Sequence, residues 1–205
     1  MKKNTTNKYL EKHVNYPAWI DKPATVDLSI VVVIPCYNEP NAKATLDSLA
    51  KCNYQGFQVE VLVIVNQSED EAEEVYDANQ ETLQVLSSWS HPDTKFKLHT
   101  IFIKDIPVKK AGVGYARKTG MDEAVRRLEQ SNKRDKIILC LDADTLVQTN
   151  YLQTVYDYFY AHPKCPAVSI GYAHPLNNND DVVNQSILEY ELHLRYYVLA
   201  QRWSG

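Results

Sequence analysis

The sequence predicts an α/β domain built on a mostly parallel sheet with helices on both faces. Two observations predict it. Short apolar runs at 28–34, 59–65, 98–103, 137–141 and 167–170 are nearly continuous in Val, Ile and Leu instead of alternating with polar residues. Strands of that kind bury both faces, as parallel strands covered by helices do. Helix-patterned stretches at 42–52, 70–88, 114–130, 150–160 and 183–201 fall between and after the runs. Such an alternation of strand and helix marks a doubly wound sheet.

Residues 1–27 are polar and carry Pro17 and Pro23, so they read as an N-terminal arm or linker, with Trp19 and Ile20 pinning it to the domain 28–205. Pro35 and Pro40 are expected to break the first strand and shape the turn before the first helix of the sheet. Pro40 also suits a first helical turn, where a missing donor is tolerated. Ser68 and Glu71 have the spacing of a capping box. Asn150 and Asp181 are expected to cap the helices that follow them. The run 187–200 is interrupted by Glu189, Glu191, His193 and Arg195, a pattern that fits a helix lying on a core. The tyrosines of the last two helices suit amphipathic core packing. The Asn-rich stretch 177–181 reads as a solvent loop.

Bulk composition narrows the function. The chain has 205 residues, 44% hydrophobic and 23% charged, an ordinary globular mixture. Its net charge of −4 argues against nucleic acid as a partner. Cys36, Cys52, Cys140 and Cys165 form no C-x-x-C pair, which speaks against zinc and thioredoxin-like chemistry. Cys36 and Cys140 lie in or beside apolar runs, where a free thiol behaves as a small core residue. The N-terminus lacks an apolar signal core and no stretch is long enough to span a bilayer, so a cytoplasmic protein is expected. Among the histidines, His174 follows a strand-like run and precedes Pro175; an ordinary loop histidine is the better reading.

In a parallel α/β sheet ligands sit beyond the carboxyl ends of the strands, so those ends carry the functional reading. The run 137–141 is followed by Asp142-Ala143-Asp144. Alternation along an extended segment puts both carboxylates on one side. Two like charges there need a cation or strong donors, and hard oxygen ligands suit Mg2+ or Mn2+. The same pair also serves as a plain strand end and turn cap. The first strand leads into Tyr37, Asn38 and Glu39, with Tyr37 placed to stack on a base and Asn38 to bond to it; a plain βα loop reads the same way. Asn66 and Gln67 end the second strand, as base readers or as turn residues. After the third strand, Lys109, Lys110, Gly112, Gly114, Arg117 and Lys118 form the most basic short window of an acidic chain. Its glycines admit close backbone approach and the next helix offers free N–H groups, so an anionic diphosphate is its natural guest. A solvated basic loop is the alternative. The window is not a dinucleotide fingerprint, because Arg117 stands at the third glycine position. Walker A and G-x-S-x-G motifs are absent.

Taken together, SIVVVIPCYNEP, VEVLVIVNQSED, KKAGVGYARKTGMDEA and KIILCLDADTLVQTNYL resemble the family 2 inverting glycosyltransferases over roughly residues 28–152. The resemblance implies the Rossmann-like GT-A fold, a UDP- or GDP-linked sugar donor, and Mn2+ or Mg2+ held by Asp144, with Asp142 binding the ribose or contributing to the metal site. It also implies Pro35, Tyr37 and Glu39 around the nucleotide and Arg117 near the diphosphate. The donor set read from the chain is thus Pro35, Tyr37, Asn38, Glu39, Asn66, Lys110, Gly112, Arg117 and Asp142.

Two departures stand out. Family members often carry Asp-Asp where this chain has Val65-Asn66. No Glu-Asp context suits a general base among Asp180, Asp181, Glu189 and Glu191, so the base is expected beyond Gly205, with the acceptor half missing and the longer form peripheral to a membrane. A non-catalytic nucleotide-sugar binding module is the alternative, and a sugar-phosphate nucleotidyltransferase a more distant one.

Overall fold

A computed structural model describes residues 5–14, 16–176 and 181–204. The chain forms two compact units, residues 1–163 and 164–205.

The first unit is built on β1 (Leu28–Cys36), β2 (Gln58–Ser68), β3 (Lys97–Ile106) and β4 (Ile137–Cys140). They form one sheet in the order β3-β2-β1-β4 with every pair parallel. β1 is buried along its whole length and β2 along nearly all of it, as their unbroken apolar runs require. One face packs α2 (Ala42–Ala50), α3 (Glu73–Ser88) and α5 (Tyr151–Ala161) on Ile30, Val32 and Ile34. The other packs α4 (Val113–Glu129) on Val31 and Val33. The predicted class, parallel sheet and two-sided covering are all present.

Pro35 does not break β1. It pairs with Ile64 and is buried, and β1 runs on to Cys36. Leu141 N–H donates to Val33 O at 3.0 Å, so the odd-numbered peptide groups of β1 face β4. Pro35 has that parity but lies past the end of β4, so its missing N–H costs no ladder bond. The 167–170 run forms no strand, and Val168 and Ile170 stay well exposed. It lies in the second unit, where the described residues include no strand to pair it.

α4 presents Ala116, Gly120, Ala124 and Leu128 to the sheet, four residues apart and so on one stripe. A Cβ at Gly120 would stand 2.4 Å from Val33 Cγ1 and 2.9 Å from Ile64 Cγ1. Both are branched side chains in a packed core, so the helix lies at a height that only glycine allows.

The N-terminal arm belongs to the first unit and contains a helix, α1 (Thr5–His13). It is strapped to the outer side of α4 by polar bonds. Tyr9 and Tyr16 donate to the buried Asp122 at 2.7 and 2.5 Å, and Trp19 N–H donates to Glu123 at 3.1 Å. Ile20 packs beside the α4 cluster, so Trp19 and Ile20 pin the arm as expected. Beneath it, Arg127 and Glu60 form a two-pronged ion pair with both side chains fully buried. Arg127 also donates to Lys22 O and Pro23 O, and Thr25 donates to Glu60 from N and Oγ1, each at 2.7 Å. Nearly every donor and acceptor of the pair is thereby used, which offsets the desolvation of both charges.

Helix starts differ in detail from the sequence reading. α3 begins at Glu73 after Ala72, so the Ser68–Glu71 pair closes the end of β2 rather than capping a helix. Asn150 occupies the N-cap of α5 without a side-chain bond. Pro40 falls before Asn41, the N-cap of α2.

The second unit holds α6 (Asp181–Trp203), none of whose described residues is buried. The expectation of a core-packed helix is therefore not met, and Tyr190, Tyr196 and Tyr197 are exposed. His174 bonds Glu191 through N and Nδ1, at 2.6 and 3.0 Å. The stretch before Asp181, which was read as a solvent loop, lies outside the described residues.

Two outcomes test this packing. Gly120→Ala should destabilise the unit by about 1–3 kcal/mol through overpacking, read by thermal unfolding. Burial works to raise the Glu60 carboxyl, but the bonds from Arg127 and Thr25, with His99 close by, overrule it and hold it well below the ordinary value of 4.5. The unfolded chain then binds the proton first, so this stability is present above about pH 4.5 and drains away as the pH falls. Glu60→Gln should lower stability at neutral pH and flatten the acid limb of a stability–pH curve.

Candidate functional site at the carboxyl ends of β1 and β4

β1 leads through α2 to β2 on one side, while β3 returns through α4 to β4 on the other. The switch point of the sheet thus lies between β1 and β4, where open α/β sheets take their ligands.

At the end of β4, Leu141 and Ala143 are buried while Asp142 and Asp144 are exposed. The alternation read from the sequence therefore continues past the last strand residue. Thr145 N–H donates to Asp142 O at 3.1 Å and closes a turn that carries Asp144. Arg117, near the start of α4, places Nη2 2.7 Å from Asp142 Oδ1. Its Nε has no partner, so the guanidinium keeps unused hydrogen-bonding capacity. Cys140, expected in the core, is exposed beside this pair, whereas Cys36 is buried as expected.

At the end of β1, Tyr37 is 46% exposed and donates its hydroxyl to Glu71 at 2.9 Å. Slight burial and that carboxylate together push its phenol above the ordinary value. Asn38 is left-handed, with φ 46°, a region asparagine tolerates better than most residues. Its N–H donates to Asn79 Oδ1 at 3.0 Å. Glu39 turns back on its own loop and accepts the Asn41 N–H at 2.8 Å, at the start of α2.

Two sequence-read donor residues are placed away from solvent. Pro35 is buried within β1. Asn66 is 1% exposed and donates to Cys36 O at 3.0 Å, a strut between the ends of β1 and β2. Lys110 is exposed on a turn closed by its N–H to Pro107 O at 2.7 Å. Gly112 is the N-cap of α4 with φ 128°, which makes glycine necessary there, and no side chain caps that end.

A cleft of about 520 Å³ lies elsewhere, between residues 50–53 and 92–95 at the amino end of the sheet. A smaller one of about 210 Å³ sits beneath the β1 loop, lined by Asn38, Glu39, Lys43, Glu81, Thr82 and Val85. We place the site at the switch point because the paired Arg117 and Asp142 are there, whereas the larger cleft gathers no such pair. Among the described residues no group of three or more His, Cys, Asp or Glu side chains is assembled for a metal.

The sequence reading missed Asn79, Thr45 and Ser48, which hold these loops from α3 and α2. The signal was a polar residue on an apolar helix face: Thr45 beside Leu46 and Leu49, Asn79 in line with Thr82 and Leu86.

A parallel sheet covered by helices on both faces defines the class, that of the α/β domains. Within it, the chain belongs to glycosyl transferase family 2, whose model matches residues 31–204. The resemblance read from its motifs is borne out. No curated protein sequence matches the chain. Among solved structures it is similar to S. aureus TarS 1-349 in complex with UDP-GlcNAc, at 18% identity over 75% of this chain and 39% of that one, TM-score 0.44. It is also similar to the mannosyltransferase PcManGT from Pyrobaculum calidifontis in complex with GDP-Man and Mn2+, at 20% identity over 80% and 39%, TM-score 0.41. The chain thus spans 39% of the length of each.

Asn79→Leu should leave the fold intact but speed hydrogen exchange at the Asn38 amide roughly tenfold, because that amide loses its bond to α3. Amide exchange followed by NMR checks this.

Proposed function

We propose that this domain binds a nucleoside-diphosphate sugar, UDP- or GDP-linked, at the carboxyl ends of β1 and β4. In that reading the protein transfers the sugar with inversion to an acceptor hydroxyl. The observation that carries it is the Arg117–Asp142 pair: a fixed cation and an exposed carboxylate 2.7 Å apart at the switch point. Family membership adds the reaction class.

The donor set fits a hard divalent cation. Asp142 and Asp144 are exposed oxygen ligands, and phosphate oxygens with water complete such a shell. Mn2+ or Mg2+ bound there supplies charge neutralisation for a departing diphosphate. Arg117 contributes a second positive charge beside the carboxylates. Lys110 and the uncapped start of α4 at Gly112 add to an anion-attracting rim. Tyr37 offers an exposed ring to a base, held by Glu71. With Asn66 turned inward, base selection falls to this loop. The acceptor hydroxyl needs a general base in such a transfer. No helix among the described residues is long and apolar enough to cross a membrane. A cytoplasmic setting belongs to the same reading, supported by four free cysteines.

Calorimetric titration with UDP and GDP, with and without Mn2+, tests the proposal. Metal-dependent binding of one nucleotide is expected, and Asp144→Ala should remove the metal dependence. Affinity that is the same with and without metal, and unchanged in that variant, would overturn the metal assignment.

A further inference from the structure

α2 carries two hydroxyls that reach across to the turn bearing Asp144. Thr45 is fully buried and its Oγ1 donates to Ala143 O at 2.7 Å. Ser48 Oγ donates to Thr45 O at 2.8 Å and accepts the Val147 N–H at 3.2 Å. The main chain is therefore gripped at 143 and at 147, on either side of Asp144. Further along the same connection, Asn53 N–H donates to Thr149 O at 2.7 Å.

Apolar contact alone would serve to pack this connection, and Leu46, Leu49, Leu141, Ala143 and Leu152 already share one core cluster. A buried hydroxyl costs free energy unless it is bonded, and a threonine inside a helix ordinarily bonds back to its own preceding turn. Thr45 instead spends its hydroxyl on a carbonyl 98 residues away. A hydrogen bond fixes distance and direction, which dispersion contacts do not.

We infer that Thr45 and Ser48 are positioning residues for the D-x-D carboxylates, holding residues 143–147 so that Asp144 stays presented. α2 begins just after the loop of Tyr37, Asn38 and Glu39. One helix therefore carries the nucleotide loop at its start and grips the carboxylate turn with its next residues. The inference rests on the reading of Asp144 and Asp142 as the cation ligands of a nucleoside diphosphate.

Three variants test it: Thr45→Val, which keeps shape and removes the bond; Thr45→Ser, which keeps the bond; and Ser48→Ala. Each is titrated with Mn2+ and UDP or GDP, and melting is followed in parallel. Thr45→Val and Ser48→Ala should weaken metal-dependent binding about tenfold or more, while Thr45→Ser stays within about threefold of the parent. Folded Thr45→Val with parental affinity overturns the inference. If Thr45→Val fails to fold, Ser48→Ala decides, and unchanged affinity there overturns it. If the parent chain binds neither nucleotide, the functional proposal fails by itself. The grip is then read directly from hydrogen exchange at the Val147 amide, which Ser48→Ala should accelerate; an unchanged rate overturns the inference.

Discussion

The close approach of α4 to the sheet sets the geometry of everything around it. Its stripe of Ala116, Gly120 and Ala124 lets the helix axis settle onto Val33 and Ile64, and Gly120 has no room for even a methyl group. That height decides how far Arg117 must reach to meet Asp142 at the end of β4. It also decides where the outer side of α4, with Asp122, Glu123 and Arg127, meets the arm. Packed cores deform little, so a helix seated this tightly transmits position well.

On its outer side the same helix is held by polar bonds instead of apolar packing. The Arg127–Glu60 pair joins α4 to β2 and collects the backbone of residues 22–25 through carbonyl and hydroxyl partners. A buried pair of this kind is weak evidence for net stability, since its desolvation consumes much of the attraction. Its geometry is demanding, however, and it specifies one way of laying the arm on the domain. The N-terminal segment is therefore an integral layer of the first unit.

On the opposite face, α2 and α3 hold the loops. Asn79 bonds the Asn38 amide and the Asn66 carbonyl, and Thr45 bonds the Ala143 carbonyl. The candidate site is thus suspended between two faces of one sheet: Arg117 comes from the α4 side, while the backbones of the Tyr37 loop and the Asp144 turn are fixed from the α2 and α3 side. Sites held by rigid elements in this way are organised before a ligand arrives.

The sequence by itself determined the parallel sheet, the positions of β1 to β4 within a few residues, and the Asp142–Asp144 motif at a strand end. Those features are local: unbroken Val, Ile and Leu runs, alternation, and a family pattern spread over ordered motifs. It did not reveal that Pro35 sits inside β1, because that depends on where the neighbouring β4 ends. Nor did it reveal that Asn66 faces inward, since an asparagine after a strand reads alike whether it meets solvent or a neighbouring carbonyl. The 167–170 run shows the converse, an apolar stretch with strand composition that no strand of the described residues pairs with. Only tertiary structure decided the Arg117–Asp142 pairing and the Thr45, Ser48 and Asn79 bonds, because each joins residues far apart in the chain that meet only when helices close onto the sheet.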